Sequence, residues 1–318
     1  MTREFRSMVP KAFATDSAAN SAADLARRAW CLLLATVARR RGTWAEPSAA
    51  GQEGTGQWLT WHGSGAPAVA AQVPIVVRPL LELYAPLCAA APGRPLTLAH
   101  LGQSLDGHIA TSSGDSYYVT GPDNVRHLHR LRALCDAVVV GASTVARDDP
   151  QLTVRHVEGA NPVRVILDPR GHLPARHRVF SDGEAQTLVV HARGVATAAP
   201  GNAETLVVPH TDGRLDLSAL LAALHARGLN VVFVEGGGAT VSGFLEAGLL
   251  DRLHVAIAPL VTGSGRPGLS LPARDKIADC LRPAHRVFTM GGDVLFDCDL
   301  RAAAPAPIQP RDNIERVF

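Results

Sequence analysis

The stretch NVVFVEGGGATVSGFLEAG, Asn230 to Gly248, reads as a strand, a tight turn and a helix in immediate succession. Val231 to Val234 is apolar throughout, as is typical of a central strand in a sheet that is covered on both faces. The strand runs into Glu235 and three glycines, and Ala239 to Ala247 is predicted to be a helix that ends at Gly248. A strand that passes through glycines into a helix predicts an α/β fold.

The same alternation of strands and helices extends along the chain from residue 96. The predicted strands are Leu96–Leu101, Ala137–Val140, Val163–Leu167, Thr187–Val190, Leu206–Val208 and Leu253–Pro259. Further helices are predicted from Pro122 and over Leu217–Arg227, the second with Asp216 as its N-cap. Near the end, Arg286–Met290 and Asp293–Leu300 flank Gly291-Gly292, which predicts a hairpin. We therefore predict an α/β fold with a mixed sheet flanked by helices and a C-terminal antiparallel hairpin.

Some finer predictions concern the segments between these elements. The polar segments 103–116 and 141–149 are predicted to be loops that follow strands. In the helix from Pro122, an apolar stripe is predicted over Val125, Leu128, Leu131 and Cys135.

The chain changes character near residue 93. The first part holds all four tryptophans, a predicted helix at Ala23–Arg40 and a segment, Val73–Ala90, that could be a strand leading into a second helix. No catalytic motif occurs there. We expect residues 1–93 to be an N-terminal accessory segment of unknown role, residues 94–303 to be the main domain and residues 304–318 to be a C-terminal tail.

Composition argues against several classes of protein. The net charge is +2, Lys11 and Lys276 are the only lysines, and no basic cluster alternates with aromatic residues, so no nucleic-acid partner is expected. The longest apolar run, Ala29 to Ala38, is too short to span a membrane, and the N-terminus lacks a signal-peptide layout. The five cysteines are scattered. We expect a soluble, cytoplasmic protein with free thiols and no membrane partner.

The glycines after Glu235 indicate a phosphate site. Bare backbone N–H groups at the start of a helix attract an anion, and Thr240 can add a hydroxyl. The alternative is a tight turn that binds no ligand. The histidines do not indicate a metal site, because His127 and His129 are two apart on a predicted helix and should point to different faces.

Arginines lie in or beside the other polar loops, and their guanidinium groups could bind phosphate through two parallel hydrogen bonds. Arg147 and Arg170 are expected to be solvated surface residues. Arg155 differs from them because it ends the motif DDPQLTVR, Asp148 to Arg155.

Several motifs, taken in order, resemble a known family. They are QSLDGHIATSSGDSYYVTG from Gln103, LRALCDAVVVGASTVARDDPQLTVR from Leu131, VILD, and VEGGGATVSGFLEAGLLDRLHVAIAPLVTGSG from Val234. Together they resemble the RibD C-terminal-type pyrimidine reductases of riboflavin biosynthesis, which have a dihydrofolate-reductase-like fold. The resemblance covers about residues 95–300.

The resemblance implies an NADPH-dependent reduction of a ribosylaminopyrimidine 5′-phosphate to its ribitylamino form, and a homodimer. It places Ser116, Arg132, Leu152, Arg155 and Glu235 at substrate-contacting positions. It places Tyr118, Thr144, Asp148, Gly237, Gly238, Ala239, Thr240, Val241, Ser242 and Gly243 at NADPH-contacting positions. We expect Glu235, and secondarily Asp148, to be catalytic, assisting ring opening or proton delivery. No metal is expected.

The chain departs from the family pattern at three points. Residues 1–93 contain neither the H-x-E nor the P-C-x-x-C element of the zinc deaminase found in bifunctional members, so deamination is not expected of them. Tyr118 stands where Trp is common. His108 stands where Lys or Arg is common, which weakens an anionic contact at neutral pH. Two alternatives therefore stay open: a reductase of a related heterocycle, and a non-catalytic protein that binds NADPH or a pyrimidine phosphate.

Overall fold

The computed structural model describes residues 21–43, 58–60, 67–90, 93–117 and 119–302. The chain divides into two compact units, Met1–Pro86 and Leu87–Phe318. This division lies a few residues before the domain boundary predicted at residue 93, and the predicted domain limits stay a prediction.

The first unit contains two helices and a small two-stranded sheet. Helix α1 is Ala22–Arg40, strand β1 is Leu59–Thr60, strand β2 is Ala68–Val69 and helix α2 is Arg78–Tyr84, which a 3-10 helix, Ala85–Ala89, follows. Both helix predictions are confirmed. The strand predicted at the start of 73–90 is wrong, because the Pro74 carbonyl accepts hydrogen bonds from the amides of Val77 and Arg78 and so forms a turn into α2.

The second unit alternates strands and helices. Its strands are β3 Leu96–Ser104, β4 His108–Thr111, β5 Ala137–Gly141, β6 Val163–Leu167, β7 Thr187–Ala192, β8 Glu204–Val208, β9 His210–Thr211, β10 Arg214–Leu215, β11 Val231–Glu235, β12 Arg252–Ala258, β13 Gly265–Pro267, β14 Ala284–Met290 and β15 Asp293–Asp299. Its helices are α3 Pro122–Leu134, α4 Ala142–Asp148, α5 Arg178–Ser181, α6 Leu217–Ala226 and α7 Gly238–Glu246, with a 3-10 helix at Ile277–Asp279.

Within the described residues, nine of these strands form one sheet in the order β14-β15-β12-β3-β11-β5-β6-β7-β8. The strands from β12 to β8 are parallel to their neighbours, whereas β15 and β14 are antiparallel. The predicted mixed sheet with a C-terminal hairpin is confirmed. The parallel strands carry the apolar runs because helices cover both of their faces.

Apolar side chains from the sheet and from helices α6 and α7 form one core. It includes Val139 and Val165 from the sheet, Leu220 and Leu224 from α6, and Phe244 from α7. The predicted cap of α6 is confirmed, since the Asp216 carboxylate accepts hydrogen bonds from the amides of residues 218 and 219. No helix among the described residues is both long enough and apolar enough to cross a membrane.

The two predicted loops contain regular structure. Segment 103–116 includes β4, which pairs antiparallel with β13. Segment 141–149 includes α4, because β5 ends at Gly141 and the chain turns directly into a helix. The sequence shows neither element clearly, since both are short and polar.

The predicted apolar stripe of α3 is wrong at Val125, which is 40% exposed. The buried face carries Asn124 and His127 together with Leu131. These polar side chains can be buried because side chains of the sheet supply their hydrogen-bond partners, and an apolar periodicity does not reveal them.

Candidate active site

The carboxyl ends of the central parallel strands form one edge of the sheet. Strand β3 leads there into the loop before β4, β5 leads into α4, and β11 leads through Gly236 and Gly237 into α7. Because β11 lies between β3 and β5, these three connections are neighbours in space. In open α/β sheets, such an edge is where ligands bind.

Two predicted site residues form an ion pair at this edge. Arg132, in the last turn of α3, donates from Nε to Glu235 Oε2 at 2.7 Å and from Nη2 to Glu235 Oε1. Both side chains are largely buried, at 8% and 13% exposure. A third donor, Arg132 Nη1, lies 2.9 Å from the Thr153 carbonyl oxygen. The pair therefore joins a helix, a strand and the loop that holds Leu152 and Arg155.

The loop after α4 is shaped by two residues in the left-handed region. Asp149 has φ 39° and Leu152 has φ 56°. Leu152 is also 1% exposed, so a buried side chain holds an unfavourable backbone conformation. The predicted substrate contact of Leu152 stays a prediction.

Arg155 lies at the end of this loop and is exposed. Its amide donates to His129 Nδ1 at 2.9 Å, and its Nη1 donates to Thr153 Oγ1 at 2.6 Å. Burial, followed by the charges of Arg132 and Arg155, lowers the pKa of His129 to about 3. His129 is therefore neutral at neutral pH, and its Nδ1 accepts the hydrogen bond from the Arg155 amide.

The turn after Glu235 leaves its amides open. Gly236 and Gly237 have φ of 75° and 72°, a region that favours glycine. Gly237 is the N-cap of α7, and Gly238 and Ala239 are its first two residues. Their three amides donate no hydrogen bond to any of the described residues. Unpaired amides at a helix N-terminus attract an anion.

Two threonines border this turn. A Cβ on Gly237 would lie 3.1 Å from Thr144 Oγ1 and 3.6 Å from Thr240 Oγ1. Thr144 belongs to α4, so the first turns of α4 and α7 face each other across the turn. The structure thus brings together three of the predicted cofactor residues, Gly237, Thr144 and Thr240.

The later residues of the predicted cofactor segment have other neighbours. Val241 is buried in the core, the Ser242 hydroxyl accepts from the Ser270 amide at 2.8 Å, and a Cβ on Gly243 would contact Leu217. Ala239 is exposed, and Gly238 packs against the backbone of Gly268. The assignment of these residues to the cofactor stays a prediction.

Asp148, the last residue of α4, is exposed and lies at the same edge of the sheet. Partial desolvation raises the pKa of its carboxyl, against the opposing effect of Arg147 and Arg266. Ser116 is exposed in the loop after β4. Tyr118 lies outside the described residues.

Asp106 fixes the loop after β3. Its carboxylate accepts from the Ser104 hydroxyl at 2.5 Å and from the amides of Thr262 and Gly263 at 3.1 and 2.7 Å. The hydrogen bond from Ser104 is the largest of the effects that lower its pKa. His108 Nδ1 lies 3.4 Å from the same carboxylate. Asp106 therefore has a structural role, as a turn residue would.

A row of buried polar residues was missed by the sequence reasoning. His100, His254 and Asp297 occupy matching positions on β3, β12 and β15, and His100 is also the register partner of Glu235. His127 of α3 covers the row. These residues are too far apart in the sequence to form a motif. The one feature that could have revealed them is that each is a polar residue within an otherwise apolar strand.

Polar contacts connect this row. His127 Nε2 is hydrogen-bonded to His254 Nδ1 at 3.1 Å, and His254 Nε2 lies 3.2 Å from Asp297 Oδ1. His100 Nε2 lies 2.9 Å from Asn124 Oδ1. Burial, and next the charge of His254, lowers the pKa of His100 to about 3. The row links the covering helix α3, which also carries Arg132, to the sheet beneath it.

Comparison with known proteins agrees with this geometry. A family model described as the RibD C-terminal domain matches residues 95–282, more than half of the chain. This chain belongs to the RibD C-terminal domain family. The family was expected from the motifs, and the dihydrofolate-reductase-like fold expected with it is confirmed.

Two curated relatives illustrate the match. A 2,5-diamino-6-ribosylamino-4(3H)-pyrimidinone 5′-phosphate reductase of Methanothermobacter thermautotrophicus is 37% identical over 217 residues, which cover 64% of this chain and 97% of that protein. The riboflavin biosynthesis protein RibD of Escherichia coli is 34% identical over 201 residues, which cover 59% of this chain but 54% of that protein.

Solved structures give the same result. A deaminase/5-amino-6-(5-phosphoribosylamino)uracil reductase of Thermotoga maritima has a TM-score of 0.56 and 30% identity, covering 65% of this chain and 57% of that one. RibD of Acinetobacter baumannii has a TM-score of 0.57 and 27% identity, covering 70% and 62%.

Proposed function

We propose that this RibD-type chain is an NADPH-dependent reductase that converts a ribosylaminopyrimidine 5′-phosphate into its ribitylamino form in riboflavin biosynthesis. One observation carries the proposal. The open glycine turn at Gly237 lies at the same sheet edge as the Arg132–Glu235 pair, so an anionic cofactor and a phosphorylated substrate can meet there. The names of the relatives, pyrimidinone 5′-phosphate reductase and RibD, support this reading.

A reductase of this family takes a nicotinamide cofactor in general, and we propose NADPH in particular. The turn fits a pyrophosphate, because Gly237 leaves the space that a Cβ would fill and the amides that follow have no acceptor among the described residues. Thr144 and Thr240 would add hydroxyl contacts to the cofactor. We propose that Tyr118 and Asp148 also contact it. When bound, the cofactor supplies a hydride from its nicotinamide C4 to C1′ of the sugar.

For the substrate, we propose that Arg155 binds the phosphate and that Ser116 and Leu152 contact the sugar chain. Arg155 is exposed, and its guanidinium makes one hydrogen bond, from Nη1 to Thr153 Oγ1, which leaves other donors for a phosphate. Arg132 has a different part, since its guanidinium already contacts Glu235 and Thr153. It would orient the Glu235 carboxylate toward the substrate, with any remaining donor free for the sugar.

The reduction needs a proton as well as a hydride. The ribosylamine must first open to an imine, and the imine nitrogen takes up a proton when its carbon is reduced. We propose Asp148 as the proton donor, since partial desolvation raises the pKa of its carboxyl and so favours the protonated form. Glu235 would then hold the opened chain in place as a hydrogen-bond acceptor.

One observation favours a second candidate, a reductase of a related heterocycle. His108 stands where the family commonly has Lys or Arg, and its ring lies against Asp106. A histidine in place of a permanently charged side chain favours a less anionic substrate. The fold, the cofactor turn and the ion pair are the same under both candidates.

We also propose a homodimer and a cytoplasmic location for this chain. Strand β14 lies at one end of the nine-stranded order found in the described residues. An edge strand with open backbone groups is commonly covered by another strand or chain. We keep residues 94–303 as the proposed reductase domain.

The test is NADPH oxidation by the purified chain, given the amino and the deaminated ribosylaminopyrimidine phosphates in parallel. Turnover of either substrate supports the proposal, and the preference shows whether the chain acts before or after deamination. Reactions without a pyrimidine measure the background oxidation of NADPH. Tight NADPH binding without turnover of either compound would favour the related heterocycle, and absence of NADPH binding would contradict both candidates.

A further inference from the structure

Arg266 of β13 is held in a defined place by the loop after β4. A Cβ on Gly114 would lie 2.5 Å from Arg266 Nη2 and 2.9 Å from Cζ, so the missing side chain makes room for the guanidinium. Gly114 has φ 100°, a conformation that other residues avoid. The backbone of Arg266 is paired with Ala110 of β4. The side chain is therefore packed against the protein and is only partly exposed.

Within the part of the chain that the structure describes, Arg266 takes part in no ion pair and no side-chain hydrogen bond. Its charge acts on Asp148, but the two groups do not form an ion pair. The buried arginines of the same unit differ, since Arg132, Arg164 and Arg252 each contact a carboxylate. A packed but unpaired guanidinium is a ready partner for an anionic ligand.

The position of β13 places Arg266 close in sequence to the residues that contact the N-terminus of α7. The carbonyl oxygens of Pro267 and Gly268 lie 2.7 and 2.5 Å from the place of a Cβ on Gly238, the first residue of α7. Arg266 thus directly precedes the backbone that touches the open helix N-terminus. Asp148, on which the charge of Arg266 acts, is one turn along α4 from Thr144, which borders the same glycine turn. Arg155 lies on the separate loop that follows α4.

We propose that Arg266 binds a phosphate group of the nicotinamide cofactor, together with the N-terminus of α7. The inference rests on the proposed function, because it takes the glycine turn as the cofactor site. The phosphate could be the pyrophosphate or the 2′-phosphate that distinguishes NADPH from NADH. Both have the same chemistry toward a guanidinium, and the experiment separates them.

The experiment compares the full-length chain with four variants by equilibrium titration of NADPH and NADH. Arg266→Gln removes the charge, and Gly114→Ala displaces the guanidinium with a Cβ. Arg147→Gln is the control for loss of an exposed charge beside Asp148. Gly194→Ala is the control for strain, since it has φ 92° and nothing within 4 Å of its Cβ. Thermal stabilisation by inorganic pyrophosphate is measured on the wild type and on Arg266→Gln.

We expect Arg266→Gln and Gly114→Ala to weaken NADPH binding by about ten-fold or more, because a charge-assisted contact is lost. The two controls should stay within about two-fold, as is usual for exposed charges. An equal loss for NADH assigns Arg266 to the pyrophosphate, and a loss confined to NADPH assigns it to the 2′-phosphate.

Two outcomes overturn the proposal: NADPH affinity of Arg266→Gln equal to that of Arg147→Gln, or a raised KM for the pyrimidine substrate with NADPH affinity unchanged. Failure of the wild type to bind NADPH contradicts the proposed function instead. The pyrophosphate arm then still reports on Arg266, whose phosphate role is wrong if the wild type and Arg266→Gln are stabilised alike.

Discussion

Arg132 and Glu235 are 103 residues apart in the sequence, and their side chains meet through two hydrogen bonds at the carboxyl end of β11. The fork of the guanidinium fixes the plane of the carboxylate, so Glu235 cannot rotate freely. Since Arg132 also contacts the Thr153 carbonyl, a change at this pair should affect helix α3, strand β11 and the loop from 149 to 155 together.

Replacing Glu235 with Gln should lower both stability and turnover. The amide places an N–H group against Arg132 Nη2, which should cost about 1–3 kcal/mol because a buried donor loses its acceptor. We expect kcat to fall about ten-fold or more, since the substrate loses a fixed acceptor. Urea unfolding and steady-state kinetics check the two effects. Unchanged turnover of a variant that still binds NADPH would show that Glu235 has no part in the reaction.

Replacing Arg155 with Ala should raise the KM for the phosphorylated substrate. If the ion pair between Arg155 and the substrate phosphate were buried, its loss would weaken binding by about 2–5 kcal/mol. Arg155 is exposed, so we expect a smaller loss of about 1 kcal/mol, roughly five-fold in KM. The loss should shrink at high salt, because solvent ions screen an exposed pair. An unchanged KM at low salt would show that Arg155 does not bind the phosphate.

Replacing Asp148 with Asn should change the pH dependence of the reaction. If protonated Asp148 delivers the proton, kcat falls as pH rises through its pKa, and the raised pKa moves this fall to higher pH than for an ordinary aspartate. The Asn variant should lose this limb of the profile and most of its kcat. A raised carboxyl pKa also costs stability above that pKa, so Asp148→Asn should be no less stable at neutral pH. A wild-type pH profile in the variant would exclude Asp148 as the donor.

Alanine variants of the two neighbouring glycines Gly236 and Gly237 should distinguish the effect of backbone strain from the effect of a lost contact with the cofactor. Gly236 and Gly237 share a positive φ, so alanine at either should cost about 1–3 kcal/mol. A Cβ at 236 meets nothing within 4 Å, whereas a Cβ at 237 meets the Thr144 hydroxyl. We therefore expect Gly237→Ala to weaken NADPH binding more than Gly236→Ala does, as measured by titration. Equal losses would mean that strain alone accounts for the effect.

The buried row around His100 should make the fold sensitive to acid. The pKa of His100 is lowered to about 3, below its unfolded value of 6.5, so the folded state resists protonation. Stability should therefore fall as pH drops below about 6.5, and the loss from His100 is complete only below its folded pKa. His100→Gln should flatten the dependence of Tm on pH, and exposed His172→Gln should not. Parallel curves for the two variants would contradict this account.

Much of the fold could be predicted because its central strands are apolar runs and its turns are marked by glycine or proline. Val231 to Val234 and the hairpin at Gly291-Gly292 are examples. Helix α4 could not be predicted, because it is short and its polar residues resemble those of a loop. For the same reason β4 and β13, which hold Arg266, were not visible.

The candidate site divides in a similar way. Glu235, Arg155 and the glycines could be found because each lies in a local motif. The pairing of Arg132 with Glu235 could not, since it depends on how α3 packs on the sheet. His100, His254 and Asp297 meet through strand register, which is a property of the assembled sheet.

The place of β11 between β3 and β5 has a consequence for how the protein is made. Residues 96 and 137 leave the ribosome long before residue 231, so β3 and β5 emerge without the partner that joins them. Until then the facing edges of both strands are unpaired and their apolar side chains are exposed, which favours aggregation. The long sequence separation between β11 and its two neighbours slows their pairing. The strand that fills this gap also carries Glu235 and the glycine turn. The nascent chain therefore acquires Glu235 and its glycine turn in the same event that joins β3 to β5.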